Sequence, residues 1–166
     1  MIEFVDVSLG RIRTLNPKVI ESATKAFQKS ISQFIPVYVV WASRTVEQQE
    51  VLYRSGRTML GPIITARRPG YSAHNYGLGL DFCLLSGKKL LSWNECFDNP
   101  VLHEKWYRVI RNFEAEGWES GWRWPSFEPG HLQNLMGHTI GELNISYTKH
   151  EDRNNRDKDI REQSED

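Results

Sequence analysis

The sequence predicts an α+β domain with a small, mainly antiparallel sheet flanked by helices. Three observations lead there. Helical and strand periods alternate irregularly instead of in βαβ order, the strand-like runs are short, and a glycine- and proline-containing loop interrupts the middle of the chain. At 166 residues the chain is long enough for one domain with a sizeable core and short for two.

Asn16 followed by Pro17 reads as an N-cap with proline in the first turn, and Val19, Ile20, Ala23, Ala26, Phe27, Ile31 and Phe34 then recur at helical spacing. Pro36 ends that helix. Val37-Tyr38-Val39-Val40-Trp41 is a β-rich run leading into Ser43-Arg44. Thr45 with Gln48 in capping-box position opens a second helix, which stops at Gly56. Residues 57–77 read mostly as loop, with Ile63-Ile64-Thr65 as a short strand. From Leu78 the chain is strand-like again. Asp98 or Asn99 with Pro100 starts a third helix that turns Val101, Leu102, Trp106, Val109, Ile110 and Phe113 inward, and Gly117 closes it. Trp118 to Trp124 is aromatic and β-like and leads to Phe127-Glu128-Pro129-Gly130-His131. We expect one domain over residues 1–147 and a charged, flexible tail over 148–166. From Lys149 onward a single aliphatic residue, Ile160, stands among twelve charges of both signs.

Twenty-one basic and 21 acidic residues cancel, which removes the footprint of a nucleic-acid partner. Cys83 and Cys96 form neither a disulfide framework nor a C-x-x-C pair and read as reduced thiols. The first sixteen residues lack the apolar core of a secretory signal, and no run approaches the roughly 18 residues that span a bilayer. The expectation is a soluble product kept in the cytoplasm, without stable membrane insertion. A substrate outside the membrane would require another agent to let the protein out.

Asp81 is the anomaly. In the strand that starts at Leu78, Leu80, Phe82 and Leu84 share one face with it, and Gly79, Asp81 and Cys83 the other. A carboxylate there is costly unless it is paired, hydrogen-bonded or bound to a metal. His74 lies seven residues earlier, with Gly77 and Gly79 between, so a turn entering the strand can bring both side chains to one point. A later histidine would complete a set of three N and O ligands with a fourth position left for water, as in catalytic zinc sites. His131 is favoured, because Glu128 lies three residues before it and an acid near a metal is a usual general base. His138 in place of His131, Cys83 as a ligand, and an Asp81 satisfied by backbone donors alone are the alternatives. His103-Glu104-Lys105-Trp106-Tyr107 imitates H-E-x-x-H but has Tyr107 where the second histidine must stand, and reads as a solvated helix face.

Ser72-Ala73-His74-Asn75-Tyr76-Gly77-Leu78-Gly79-Leu80-Asp81 resembles the S-x-H-x-x-G-x-A-x-D zinc motif of the LAS peptidases. These are the D-alanyl-D-alanine metallopeptidases of the vancomycin-resistance type and the L-alanoyl-D-glutamate endopeptidases of phage endolysins. The endolysin branch is the closer match, through Ser43-Arg44-Thr45, Gln49, Leu52-Tyr53-Arg54-Ser55-Gly56-Arg57-Thr58 and the run His74-Asn75-Tyr76-Gly77. The resemblance covers roughly residues 35–133, including the Gly-Trp and Trp-x-Ser-Phe pieces at Trp118 and Trp124. It implies a LAS/Hedgehog-like zinc peptidase fold, one zinc ion held by His74, Asp81 and His131, and Glu128 as the base. It implies Arg44 on the substrate carbonyl, with Ser72, Gln49 and Tyr76 as supporting or substrate-binding residues. Two departures stand out: Gly79 replaces the motif's alanine, and Glu128-Pro129-Gly130-His131-Leu132 replaces D-x-P-H-F, with the acid longer by one methylene.

The implied partner is the bacterial peptidoglycan stem peptide, cut at L-Ala–D-Glu by a monomeric endolysin that waits in the host cytoplasm for a holin or similar pore. Arg54, Arg57, Arg67 and Arg68 suit the carboxylates of an acidic peptide. Competing readings are a D,D- or L,D-carboxypeptidase or dipeptidase on the same metal site, an intracellular wall-recycling peptidase, and a non-catalytic zinc-containing wall-binding module.

Overall fold

The computed structural model describes residues 2–149. These divide into two units, residues 2–134 and residues 135–149. The first is the α+β body. Its helices are α1 (Ile2–Ile12), α2 (Pro17–Ser32), α3 (Val46–Arg54), α4 (Trp93–Phe97) and α5 (Pro100–Glu114). Its strands are β1 (Val37–Trp41), β2 (Gly79–Ser86), β3 (Lys89–Leu91), β4 (Glu119–Ser120) and β5 (His131–Gln133). In the second unit residues 140–149 are helical, opened by a capping box in which Thr139 and Glu142 exchange hydrogen bonds. The expected tail lies, from His150 on, outside the described residues. Among the described residues no helix is long and apolar enough to cross a membrane.

The sheet is antiparallel throughout, in the order β1-β2-β5-β4, with β3 folding back on β2 as a hairpin. Strand β2 therefore lies at the centre. It carries the continuous apolar run that a strand buried on both faces requires, with Leu80, Phe82 and Leu84 in the core. Helices α2 and α5 pack together over the sheet, and α1 packs on β1 and α2. Phe27, Trp106, Val109, Ile110 and Phe113 fill the space between them. Polar side chains in this layer are paired across elements: Asn112 Nδ2 donates to Ser30 Oγ and Gln33 Oε1, both at 3.0 Å, and Trp118 Nε1 donates to Ser22 Oγ at 3.0 Å.

The predicted caps are present. Asn16 accepts from the Lys18 amide ahead of Pro17, Thr45 and Gln48 form the expected capping box, and Asn99 accepts from Val101 and Leu102 ahead of Pro100. Strand β1 occupies the predicted residues. The structure differs in four places. Helix α1 was not expected, and neither were β3 and α4, which Ser92 and Glu95 open with a second capping box. Ile63-Ile64-Thr65 forms no strand. That segment is held instead by side chains, with Ser55 Oγ donating to Pro62 O at 2.7 Å and Arg57 Nη1 to Thr65 O at 3.1 Å. The aromatic stretch from Trp118 shortens to the two residues of β4 and a 3₁₀ turn, Gly121–Arg123.

Both cysteines are buried and free. Burial, reinforced by Cys96, pushes the Cys83 thiol up to about 12, and burial with Glu95 nearby pushes Cys96 up to about 11. Each folded value lies above the ordinary thiol value of 9.0. The corresponding stabilisation is therefore complete below that value and is lost as pH rises from there through the folded values, since in that window the unfolded chain releases protons that the folded chain retains. Native protein at pH 8 should resist iodoacetamide at both thiols, and urea stability should fall between about pH 9 and 12. Rapid native alkylation of Cys83, followed by mass spectrometry, would contradict this burial.

Candidate metal centre and its surroundings

Asp81 sits where both neighbours of β2 meet it: Trp41 of β1 is its partner on one side and His131 of β5 on the other. His74 comes from the turn just before β2, a short 3₁₀ helix, Ala73–Tyr76. Gly77 ends that turn at φ +65, a left-handed conformation natural to glycine, and a Cβ there would lie 2.6 Å from the Asn16 nitrogen. The strand then places Asp81 between two imidazoles. His74 Nε2 is 3.3 Å from Asp81 Oδ2, and His131 Nδ1 is 2.9 Å from Asp81 Oδ1.

One ligand atom from each of His74, Asp81 and His131 lies within 4.8 Å of the others, and both histidines are buried. Two imidazoles and one carboxylate are the donor set of a catalytic zinc site, three protein ligands with room for a fourth. The tautomer of His74 suits that role. Its Nδ1 lies 2.6 Å from the Ala42 carbonyl, which can only accept, so Nδ1 carries a proton and Nε2 is the nitrogen turned to Asp81. Burial pushes the Asp81 carboxyl up, but hydrogen bonds and charge from His131 and His74 outweigh it and hold the group well below the usual carboxylate range. It is an anion at neutral pH.

Glu128 stands on the turn before β5. Its backbone is pinned there: its N–H donates to Gly121 O at 3.0 Å and its carbonyl accepts from the His131 N–H at 3.0 Å. Trp106 Nε1 donates to the neighbouring Pro129 carbonyl at 2.9 Å, tying the turn to α5. The Glu128 carboxylate faces Arg67 Nη2 at 3.7 Å across a solvent-exposed gap.

Arg44 is buried next to the cluster. Its amide donates to the His74 carbonyl at 3.0 Å, its guanidinium lies over the Trp41 ring at 5.2 Å, and Nη1 donates to Gln49 Oε1 at 2.8 Å. Burial lowers its pKa, while the charge of Asp81 opposes that shift. Its Nε is buried without a hydrogen-bond partner, a donor left over beside the donor cluster. Gln49 is fully buried and spans the gap to the central loop, Nε2 donating to the Arg67 carbonyl at 2.8 Å. Ser72 is buried at the start of the 3₁₀ turn without capping it. Tyr76 donates its hydroxyl to the Gly70 carbonyl at 2.6 Å, a contact within the same loop.

Of the arginines expected to meet an acidic peptide, Arg67 faces Glu128, whereas Arg54 and Arg57 bond to Thr58, Tyr53 and Thr65 within their own segment. Cys83 lies outside the cluster, and His138 belongs to the second unit. Sequence reasoning passed over Asn75, whose Nδ2 donates to the carbonyls of Arg44 and Thr45 at 3.1 Å each. It also passed over Gln133 and Glu119, which bond to one another beside His131. The alternation of His131 and Gln133 was the available signal.

No family model matches the chain. Over 115 residues it is 32% identical to the peptidoglycan L-alanyl-D-glutamate endopeptidase CwlK of Bacillus subtilis, covering 69% of each protein. Among solved structures, the L-Ala D-Glu endopeptidase ChiX of Serratia marcescens superposes with a TM-score of 0.54 at 18% identity, over 78% of this chain and 86% of that one. The LdcB LD-carboxypeptidase superposes with a TM-score of 0.56 at 17% identity, over 78% of this chain and 67% of that one.

Replacing Gln49 with leucine leaves the Arg44 guanidinium without its buried acceptor. We expect a loss of about 2–3 kcal/mol in urea unfolding. An unchanged midpoint would mean that Gln49 does not hold Arg44.

Proposed function

We propose that this chain, which belongs to the LAS-type zinc peptidases, is a peptidoglycan hydrolase cleaving the L-Ala–D-Glu amide bond of the stem peptide. The observation that carries the reading is the convergence of His74, Asp81 and His131, with Glu128 three residues before the last of them. The 32% identity to a peptidoglycan L-alanyl-D-glutamate endopeptidase supports the choice of bond. His74 Nε2, an Asp81 oxygen and His131 Nδ1 would hold one zinc ion. Bound there, zinc would lower the pKa of a coordinated water to about 7 and polarise the scissile carbonyl.

The chain's own groups supply the rest. Glu128 takes the proton of the attacking water and passes it to the leaving amine. The guanidinium of Arg44, with a spare N–H in a buried setting, donates to the carbonyl oxygen as negative charge builds on it, where a fixed donor contributes most. Arg67, about half exposed and opposite Glu128, is the arginine placed to meet a stem-peptide carboxylate. Ser72, Gln49 and Tyr76 support this side of the site, with Gln49 fixing the direction of Arg44. The motifs shared with the endolysin branch support a lytic setting, in which a monomeric protein leaves the host cytoplasm through a holin-type pore.

Purified protein should bind one equivalent of zinc and release free amino groups from isolated walls, and chelation should abolish the release. Fragment masses should show L-Ala left on the glycan and peptides beginning at D-Glu. Loss of terminal D-Ala alone would instead indicate a carboxypeptidase. Glu128→Ala should reduce kcat by at least about 100-fold while zinc stays bound, and full activity in that variant would remove Glu128 as the base.

A further inference from the structure

We propose that Gln133 and Glu119 are positioning residues for His131: together they supply a fixed acceptor for its Nε2–H, hold the ring in one orientation and so turn Nδ1 towards Asp81 as the ligand atom. The inference rests on the metal-site reading given under the proposed function.

The strand pattern brings the three residues together. In β5, His131 and Gln133 are two apart and share a face. In the register of β4 and β5, Glu119 stands directly opposite Gln133. Gln133 is buried, and its amide has one choice of direction. A carboxylate can only accept, so the Gln133 Nε2 donates to Glu119 Oε2, at 3.1 Å. The amide oxygen is thereby turned to the other side, where Oε1 lies 3.4 Å from His131 Nε2. That oxygen has no proton to give, so His131 Nε2 must carry one. Nδ1 faces Asp81 Oδ1 at 2.9 Å and, since a carboxylate only accepts, donates to it; a metal ion held at Nδ1 would take the place of that proton while Gln133 goes on accepting from Nε2–H. Trp124 holds the far end of the relay, with Nε1 donating to Glu119 Oε1 at 2.5 Å and its ring against His131 at a centroid distance of 5.4 Å.

The two histidines are thus oriented by different means. The Ala42 backbone carbonyl sets His74, and no substitution can remove it. Side chains set His131, and they can be changed. Partners of this kind typically change metal affinity 10–100-fold when lost.

The test compares wild type with Glu119→Gln, Gln133→Leu and the double exchange Glu119→Gln with Gln133→Glu. Zinc affinity is read by competition with a chromophoric chelator, and the hydrogen bond of His131 Nε2–H from ring ¹⁵N and ¹H shifts of the zinc-loaded protein. Each single variant should weaken zinc binding about 10–100-fold and shift the His131 Nε2–H resonance, as its acceptor is removed or left free to turn away. The exchange should restore both readings, because an amide at 119 can donate to a carboxylate at 133 that still accepts from Nε2–H. Affinities within twofold of wild type, or weakened binding with an unchanged Nε2–H resonance, would overturn the proposal. If wild type takes up no zinc, the metal-site reading fails and this inference fails with it. Glu119 is exposed, so its isosteric variant keeps the test open should Gln133→Leu fail to fold.

Discussion

Everything else in the site follows from a carboxylate on the central strand of the sheet. Asp81 projects from β2 with strands hydrogen-bonded on both sides, and a charge placed there needs counter-charge or donors within reach. Its two cross-strand partners determine where those come from. On the β5 side the partner is His131 itself. On the β1 side it is Trp41, followed in the chain by Ala42, which anchors His74, and by Arg44, whose guanidinium lies over the Trp41 ring. The antiparallel register therefore assembles two imidazoles and a guanidinium around one anion, although these residues lie far apart in sequence.

The surroundings divide into a rigid half and a more open half. The rigid half is backbone: strand pairing, the Ala42 carbonyl on His74, and the hydrogen bonds of the Glu128 turn to Gly121 and His131. The open half is the central loop, attached through Gln49, whose buried amide binds Arg44 on one side and the Arg67 carbonyl on the other. The Arg67 and Glu128 side chains meet at this boundary, 3.7 Å apart and accessible to solvent. A surface pair of this kind is worth little, so an acidic ligand can displace Glu128 from Arg67 at small cost.

The legible parts of the chain were those with a period or a cap. Asn16-Pro17, Thr45 with Gln48 and Asn99-Pro100 each satisfy orphan helix amides, and each appears in the fold as the sequence indicates. Asp81 was legible because it contradicts its strand. Illegible elements were too short to repeat: β4 has two residues and β5 three, and neither shows alternation outside its pairing with a neighbour. Helix α1 was hidden by Gly10 and its β-branched residues, which weaken helix propensity, and its place is decided by packing on β1 and α2. The reverse error at Ile63-Ile64-Thr65 has the same origin. β-branched composition suggested a strand, but no sheet edge reaches the segment, and Ser55 and Arg57 bind its carbonyls instead.

The departures from the family motif show how tightly the site is closed. A Cβ at Gly79, where the motif has alanine, would come within 2.9 Å of the Ala73 Cβ and 3.2 Å of the His131 ring. The strand thus approaches the second imidazole as closely as a backbone without a side chain allows. Gly121 plays the matching part for the acid: a Cβ there would stand 2.5 Å from the Glu128 carbonyl and 2.9 Å from its Cβ. With the backbone fixed at both points, the extra methylene of Glu128 relative to aspartate is left to its side-chain torsions alone. Backbone contacts and absent side chains therefore set the strand and the Glu128 turn, and the Gln133 and Glu119 side chains set the His131 ring, before any ion is considered. A metal entering this cluster would find its ligands already gathered, and the ordering cost that a flexible site incurs on binding would have been met during folding.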